Sequence, residues 1–534
     1  MSLRLLFARA VALTSLAATL PLTALVAPLH AQQMDFLIRG GTVVDGTGSA
    51  PRRADVGVRG DRIVFVGDAA QRGVTADRTI DASGLIVAPG FIDPHTHSSG
   101  DLSGESTKAN EHYLLQGVTT VLTGNDGGGP IDVGRTFALW EQQGIGTNAA
   151  LFVGQGSVRR EVLGMSDDRP TAEQLARMRE LVAQAMRDGA IGLSAGLYYA
   201  PGSYASTEEV IELAKVAAAA GGVYDTHQRD ESSYTIGLLG SIAENIRIAR
   251  EAGIPVNISH IKALGTDVWG QSDSVIKMIR AARAEGLRIT ADQYPYTASG
   301  TGLGAALLPR WAEVDGRDSL RARVANPQVR ARLVAEMENN LRRRNGPGAL
   351  LLTGRGDSTL TGKTLEQIAR ERGLSPIDAA LEIILSSNPG VASFNMNEDD
   401  IRRFMREPWV MTGSDGSGGH PRKYGTFPRK LRVYVFQDSV LTLPQAIQRS
   451  SALAAQTFGL TDRGVLREGA FADVIAFDPG TISDRATFEN PRIVSTGVEW
   501  VLVNGAVSVE HGRYSGALGG RALRHAAAPP ATRR

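Results

Sequence analysis

Two of the nine histidines in this 534-residue chain stand two apart, His95 and His97 in "GFIDPHTH". Two more follow at His227 in "YDTHQRD" and His260 in "NISHIKALG". Each closes an apolar, strand-like run. Residues i and i+2 of a strand point to one face, so His95 and His97 can be presented together. Two carboxylates hold the same kind of position: Asp126 ends "GVTTVLTGND" just ahead of three glycines, and Asp415 ends "WVMTGSDG". A lone strand-end histidine reads as a satisfied structural group, and an aspartate before glycine as a turn former. Four imidazoles and two carboxylates at the ends of separate strands argue instead for a divalent metal site. The chain contains no cysteine, so such a site has to be built from His, Asp and Glu. Asp415 then reads as a metal ligand that doubles as general base, since a carboxylate beside a cation-activated water can take its proton.

The elements that must position these groups alternate. Eight strand-like runs cover residues 85–97, 117–126, 148–157, 190–197, 221–230, 254–265, 287–296 and 409–416, with helix-like sequence such as "TAEQLARMRELVAQAMRDG" between them. Their count and order predict an α/β fold, a (β/α)₈ TIM-type barrel whose chemistry sits at the C-terminal ends of its strands. Both chain ends read differently, as short strands with Gly, Asp and Asn-Gly turns. Each alone is short for a stable sheet, which favours one small β-sandwich built from both termini over two unrelated β modules. The expected limits are 34–85 and 465–522 for the sandwich and 86–464 for the barrel. The gap before the last strand is too long for one helix, and about 303–405 is expected to be an inserted subdomain. Its arginines, in "LRARVANPQVRARLVAEMENNLRRR", read as a solvated helix face because acidic residues lie among or beside them.

Composition limits the partners. A formal net charge of +1 argues against nucleic acid. Residues 1–31, with Arg4, Arg9, an apolar stretch and "LHA" at the end, are expected to be a secretory signal peptide cut after Ala31, against the alternative of an uncleaved anchor. No later segment has the run of roughly 20 apolar residues needed for a membrane span. Export, periplasmic or secreted, is the expectation, and residues 523–534 read as a disordered tail. Oligomeric state is not legible.

Six separate motifs, in order, carry a family resemblance: "APGFIDPHTHSSGDL", "YDTHQRDE", "ISHIKALG", "DQYPYTASG", "TGSDG…HPRKYGTFPRKL" and "DRATFENPRIVSTGVEWVLVNG". Together, from about residue 35 to 524, they resemble the N-acyl-D-amino-acid deacylases (D-aminoacylases) of the metal-dependent amidohydrolase superfamily. The resemblance implies hydrolysis of the amide bond of an N-acyl-D-amino acid, a small-molecule substrate, to a carboxylate and a free D-amino acid. It implies one or two divalent ions, Zn²⁺ first among them, with Asp126, His227 and His260 holding one and His95, His97 and Asp415 lining a second position. Where the family has Gly-Asn-Cys-Gly, this chain has Gly124-Asn125-Asp126-Gly127, so Asp126 stands as an oxygen donor in place of a thiolate. Such a swap loosens the preference for zinc; the bland alternative leaves Asp126 a turn residue and the metal on histidines alone. By the same resemblance Tyr199, Lys262, Tyr296 and Ser299 line the pocket and hold the substrate's α-carboxylate, with Arg422 and Arg429 as weaker candidates. Two alternatives stay open from sequence: a dipeptidase or other amide hydrolase acting on D-residue-containing substrates, and a metal-free binding protein on a decayed barrel.

Overall fold

The computed structural model describes residues 33–354 and 359–525. The expected signal segment, 1–31, and residues 526–534 of the expected tail lie outside the described residues. Eight parallel strands form the barrel. Phe91–Thr96 pairs with Val118–Thr123, which pairs with Asn148–Leu151. That third strand continues through Phe152 into Val153–Gly154, and Gly192–Gly196, Val223–His227, Val256–Ile258, Ile289–Gln293 and Val410–Thr412 follow in order. A parallel bridge from Thr96 to Gly416 and a 2.9 Å hydrogen bond donated by the Asp415 N–H to the His95 carbonyl join the last strand to the first. Two candidate ligands therefore sit at the closing seam.

The strands are buried along nearly their whole length because helices cover them, as parallel sheets require. Ala172–Arg187 shows how one is placed. Thr171 and Gln174 form a reciprocal capping box, and Met178, Val182, Ala185 and Met186 recur at helical spacing on the buried face.

Both termini build the sandwich. Met34–Arg39, Asp55–Arg59, Arg62–Gly67 and Ala76–Asp81 make a four-stranded sheet. A seven-stranded sheet combines Thr42–Val43 and Ile86–Pro89 with Val474–Phe477, Val498–Val503 and Ala506–Glu510 from the other end. Ile38, Val56, Ile63, Val474, Trp500 and Leu502 share one core between them.

Three expectations need correction. The run 85–97 is two strands, divided at Gly90: Ile86–Pro89 pairs antiparallel with Val474–Phe477 in the sandwich, and the barrel begins at Phe91. The insertion runs from 298 to 394, around a three-stranded antiparallel sheet of Ala298–Gly302, Gly390–Phe394 and Leu350–Thr353 with its own apolar core. Helix Glu398–Arg406, assigned to it from sequence, instead packs Ile401, Phe404 and Met405 into the barrel core. Residues 523–525 are not loose: Leu523 and His525 donate backbone hydrogen bonds to Ala149 and Gly189, and Arg524 pairs with Glu141. Among the described residues no helix is long and apolar enough to cross a membrane.

Candidate metal centre

The six groups singled out by residue type meet at the barrel mouth. Asp126 stands at the middle. Its Oδ1 lies 3.4 Å from His95 Nε2, 3.5 Å from His260 Nε2 and 3.7 Å from His227 Nδ1, and its Oδ2 lies 3.5 Å from His97 Nε2. Asp415 Oδ1 approaches His97 Nε2 to 3.1 Å and His95 Nε2 to 3.8 Å. One donor atom each from His95, Asp126, His260 and Asp415 all lie within 4.8 Å of one another.

The backbone bends to arrange this. Asp126, His260 and Asp415 hold positive φ of 57°, 37° and 46°. Left-handed conformation at non-glycine residues costs about 1–3 kcal/mol each and clusters at functional sites. The glycines after Asp126 answer a packing need. A Cβ on Gly127 would lie 2.7 Å from the Gly196 N, and one on Gly129 only 2.2 Å from the Phe152 carbonyl oxygen.

Both ring nitrogens of His95 and the Oδ1 of Asp126 are buried without a hydrogen-bond partner. His227 Nδ1 and His260 Nε2 face each other at 2.9 Å; two ring lone pairs brought that close are favourable only with a proton or a cation to share. In the metal-free chain a proton on His260 would take that part. Burial alone would lower the His95 and His260 pKa values, yet neighbouring carboxylates raise them to about 10 and about 9. Asp126 and Asp126's counter-charges act the other way: burial would raise its carboxyl, but His95, His260 and His227 hold it well below the usual carboxylate range. A nest of imidazole and carboxylate donors that draws in positive charge fits a hard or borderline divalent cation.

A layer of carboxylates that sequence reading passed over supports the ligands. Asp292 Oδ1 accepts the His260 N–H at 2.9 Å, and Asp93 Oδ1 accepts the N–H groups of His95 (3.2 Å) and Ser414 (3.0 Å). Asn257 Nδ2 joins Asp225 to Asp292, at 2.8 Å from each. Burial pushes Asp93 up to about 7 and Asp225 up to about 6. Strand parity could have found two of them, since Asp93 precedes His95, and Asp225 precedes His227, by two residues.

Glu231 had no sequence signal beyond its motif, yet it touches both later histidines from behind. Its Oε1 is 3.1 Å from His260 Nδ1 and accepts from Lys262 Nζ at 2.6 Å, and its Oε2 is 3.8 Å from His227 Nε2. Lys262 Nζ also lies 2.6 Å from His260 Nδ1, so Glu231 and Lys262 together hold that ring from behind and leave Nε2 turned toward Asp126.

The main pocket, about 740 Å³, opens onto His97, Asp126 and Asp415 and is walled by Tyr199, Gly300, Thr301, Val391 and Arg422. A narrow annex behind it reaches Lys262 and Ser299. The Tyr199 ring lies tilted against His227, ring centroids 4.7 Å apart. Tyr296 requires correction: it lines neither space. Past Pro295 its ring is taken up between Arg429 (4.8 Å) and His420 (5.5 Å), and Tyr294 faces the annex in its place. Lys262 reaches the annex but is paired with Glu231. Arg422 pairs with Asp415 at 2.9 Å, and Arg429 with Asp484. His420 donates to the Ala298 carbonyl and accepts from the Arg422 N–H, which occupies both ring nitrogens.

Residues 78–509 match the amidohydrolase family profile. The D-aminoacylase of Alcaligenes xylosoxydans xylosoxydans is 35% identical over 531 residues, covering 93% of this chain and 99% of that protein. The N-acyl-D-glutamate deacylase of the same organism is 34% identical, covering 89% and 93%. Among solved structures, the N-acyl-D-glutamate deacylase of Bordetella bronchiseptica, complexed with zinc and a phosphonate mimic of the tetrahedral intermediate, superposes with a TM-score of 0.79 at 33% identity, covering 92% of this chain and 100% of that one.

Proposed function

The chain belongs to the amidohydrolase family, and from that premise we propose that it is a metal-dependent hydrolase of N-acyl-D-amino acids, cleaving the amide to a carboxylate and a free D-amino acid. The observation that carries the reading is the convergence of His95, His97, His227, His260 and Asp415 around Asp126, at a pocket of about 740 Å³ that His97, Asp126 and Asp415 line. Asp126, His227 and His260 would hold a divalent ion, zinc first among the candidates, with His95, His97 and Asp415 around a second position; when bound, it would supply Lewis-acid polarisation of the amide carbonyl and acidify water.

The chain's own residues do the rest. Asp415 takes the proton of the attacking water and returns it to the leaving nitrogen. Burial would raise its carboxyl, but Arg422, His260, the His97 hydrogen bond and His95 keep it well below the usual carboxylate range. It therefore enters the reaction ionised, as a proton acceptor must. Arg422 holds Oδ2 at 2.9 Å, so Oδ1 is the oxygen turned to the cage. Tyr199 and the insertion strands form one wall of the pocket.

Hydrolysis of N-acetyl-D-amino acids, their L-forms and D-residue-containing dipeptides by the purified protein tests the reading. Turnover of the N-acetyl-D-compounds is expected to dominate; a preference for L-forms or dipeptides contradicts it. We also propose export, supported by Arg4, Arg9 and the apolar stretch ending at Ala31. A mature N-terminus at Gln32 is expected from N-terminal sequencing of exported protein, and an intact Met1 would contradict cleavage.

A further inference from the structure

The annex behind the metal centre has a charge that nothing within the described residues balances. It shares Tyr199, Gly300, Thr301 and Asp415 with the main pocket and is completed by Tyr198, Glu231, Tyr234, Lys262, Ser299 and Arg344. Two of its ionic contacts are closed. Lys262 Nζ bonds Glu231 at 2.6 Å, and Asp415 bonds Arg422 at 2.9 Å. Arg344 is different. It is 2% exposed, and its three hydrogen bonds run to neutral groups: Nε to the Ala306 carbonyl at 3.0 Å, Nη1 to Ser393 Oγ at 3.1 Å and Nη2 to Tyr198 Oη at 3.2 Å. Among the described residues no carboxylate oxygen lies within 4.0 Å of its guanidinium, whereas Arg342 and Arg343 beside it both reach Asp267.

A guanidinium carries five N–H groups, so two are left over. The three neutral partners fix its orientation without neutralising it, and a buried cation with no counter-charge is costly. Its place in the fold says where the counter-charge comes from. Ser393, which it contacts, is the cross-strand partner of Ser299 in the insertion sheet, and Tyr198 stacks near His227, centroids 5.6 Å apart. The cation is thus set one residue from the predicted substrate-contacting serine and one ring from the metal centre.

We propose that Arg344 receives a carboxylate of the substrate in this annex, the part that sequence reading gave to Lys262, whose charge Glu231 already neutralises. The inference rests on the deacylase reading and deepens it. An N-acyl-D-amino acid brings an α-carboxylate, and one with an acidic side chain brings a second; either can be met by the N–H left unused on each terminal nitrogen of Arg344.

The test compares kcat/KM for two isosteric pairs, N-acetyl-D-glutamate with N-acetyl-D-glutamine and N-acetyl-D-methionine with its carboxamide, in the wild type and in Arg344→Met, Arg344→Lys and Lys262→Met. A ratio within a pair is independent of the folded fraction, so partial loss of structure does not confuse it. The wild type is expected to prefer the charged member of at least one pair. Arg344→Met should shrink that preference about 10- to 100-fold, and Arg344→Lys should restore part of it. Lys262→Met should slow both members alike. Collapse in the glutamate pair assigns Arg344 to the side-chain carboxylate, and collapse in the methionine pair to the α-carboxylate. No preference in the wild type, unchanged ratios in Arg344→Met, or collapse in Lys262→Met alone would overturn the proposal. A wild type that hydrolyses none of the four compounds defeats the deacylase reading separately. Calorimetric binding of N-acetyl-D-glutamate and N-acetyl-D-glutamine to wild type and Arg344→Lys then decides: charge-dependent binding lost in the variant supports Arg344, and equal binding overturns it.

Discussion

The two halves of the metal centre are built to different standards. His227 and His260 are buried, with side chains 7% and 1% exposed, and Glu231 backs both rings. His97, in the other half, is 38% exposed on the floor of the pocket, and its hydrogen-bond partner is Asp415, a candidate reacting group. One half is a preformed socket whose candidate ligands are already oriented by Glu231. The other is closed on its His95 side, 0% exposed, and meets the substrate space through His97 and Asp415. Asp126 belongs to both, offering Oδ1 to the buried half and to His95, and Oδ2 to His97. Asp126 thereby touches both sets, which makes the six groups one cluster rather than two sites.

Breaking the halves one at a time gives the largest contrast. His260→Ala is expected to leave no tightly held divalent ion after dialysis and no measurable turnover, whereas His97→Ala keeps one ion per chain. Elemental analysis of both variants checks this; equal metal loss would erase the distinction. Asp415→Asn, next in size, should lower kcat by roughly 10²–10⁴-fold with the metal of the buried half retained, and near-wild-type turnover would remove Asp415 from its role as base. Glu231→Gln should weaken metal affinity about 10- to 100-fold, measured by chelator competition, while the same change at an exposed glutamate such as Glu173 leaves it unaltered. The smallest effect concerns the metal-free protein. His95 and His260 are raised to about 10 and about 9, above the unfolded value of roughly 6.5. The folded chain therefore binds extra protons, a stabilisation complete below about pH 6.5 and lost as pH rises through 9 to 10. The melting temperature of the metal-free protein should fall between pH 7 and 10 more steeply than that of the metal-loaded protein, in which the ion replaces those protons. Parallel profiles would contradict this.

The barrel and the convergence of the six candidate ligands were legible because each of them closes an apolar run, and strand geometry turns that position into a place on one rim. What escaped reading depends on how the chain turns after the strands. Tyr294 and Tyr296 are two apart and equivalent in sequence; only the course beyond Pro295 sends one to the annex and the other behind His420. Glu231 lies four residues past His227, in a loop that no periodicity describes. Arg344 was hidden by its company, since "LRRRNG" reads as one solvated basic face. The fold sorts the three apart: Arg342 and Arg343 reach Asp267, and Arg344, just past the end of helix Pro327–Arg343, turns under the insertion sheet. The run 85–97 misled for a related reason, because a strand that leaves the sandwich and one that enters the barrel have the same apolar texture on either side of Gly90.

Metal content of the wild type and of Asp126→Ala, purified without added chelator and checked for intact secondary structure, tests the central claim most directly. At least one divalent ion per wild-type chain, lost or much weakened in the variant, is the expected result. A wild type without stoichiometric metal, or a variant that keeps its ion as tightly as before, would contradict the assignment of Asp126 as the group that holds the two halves together.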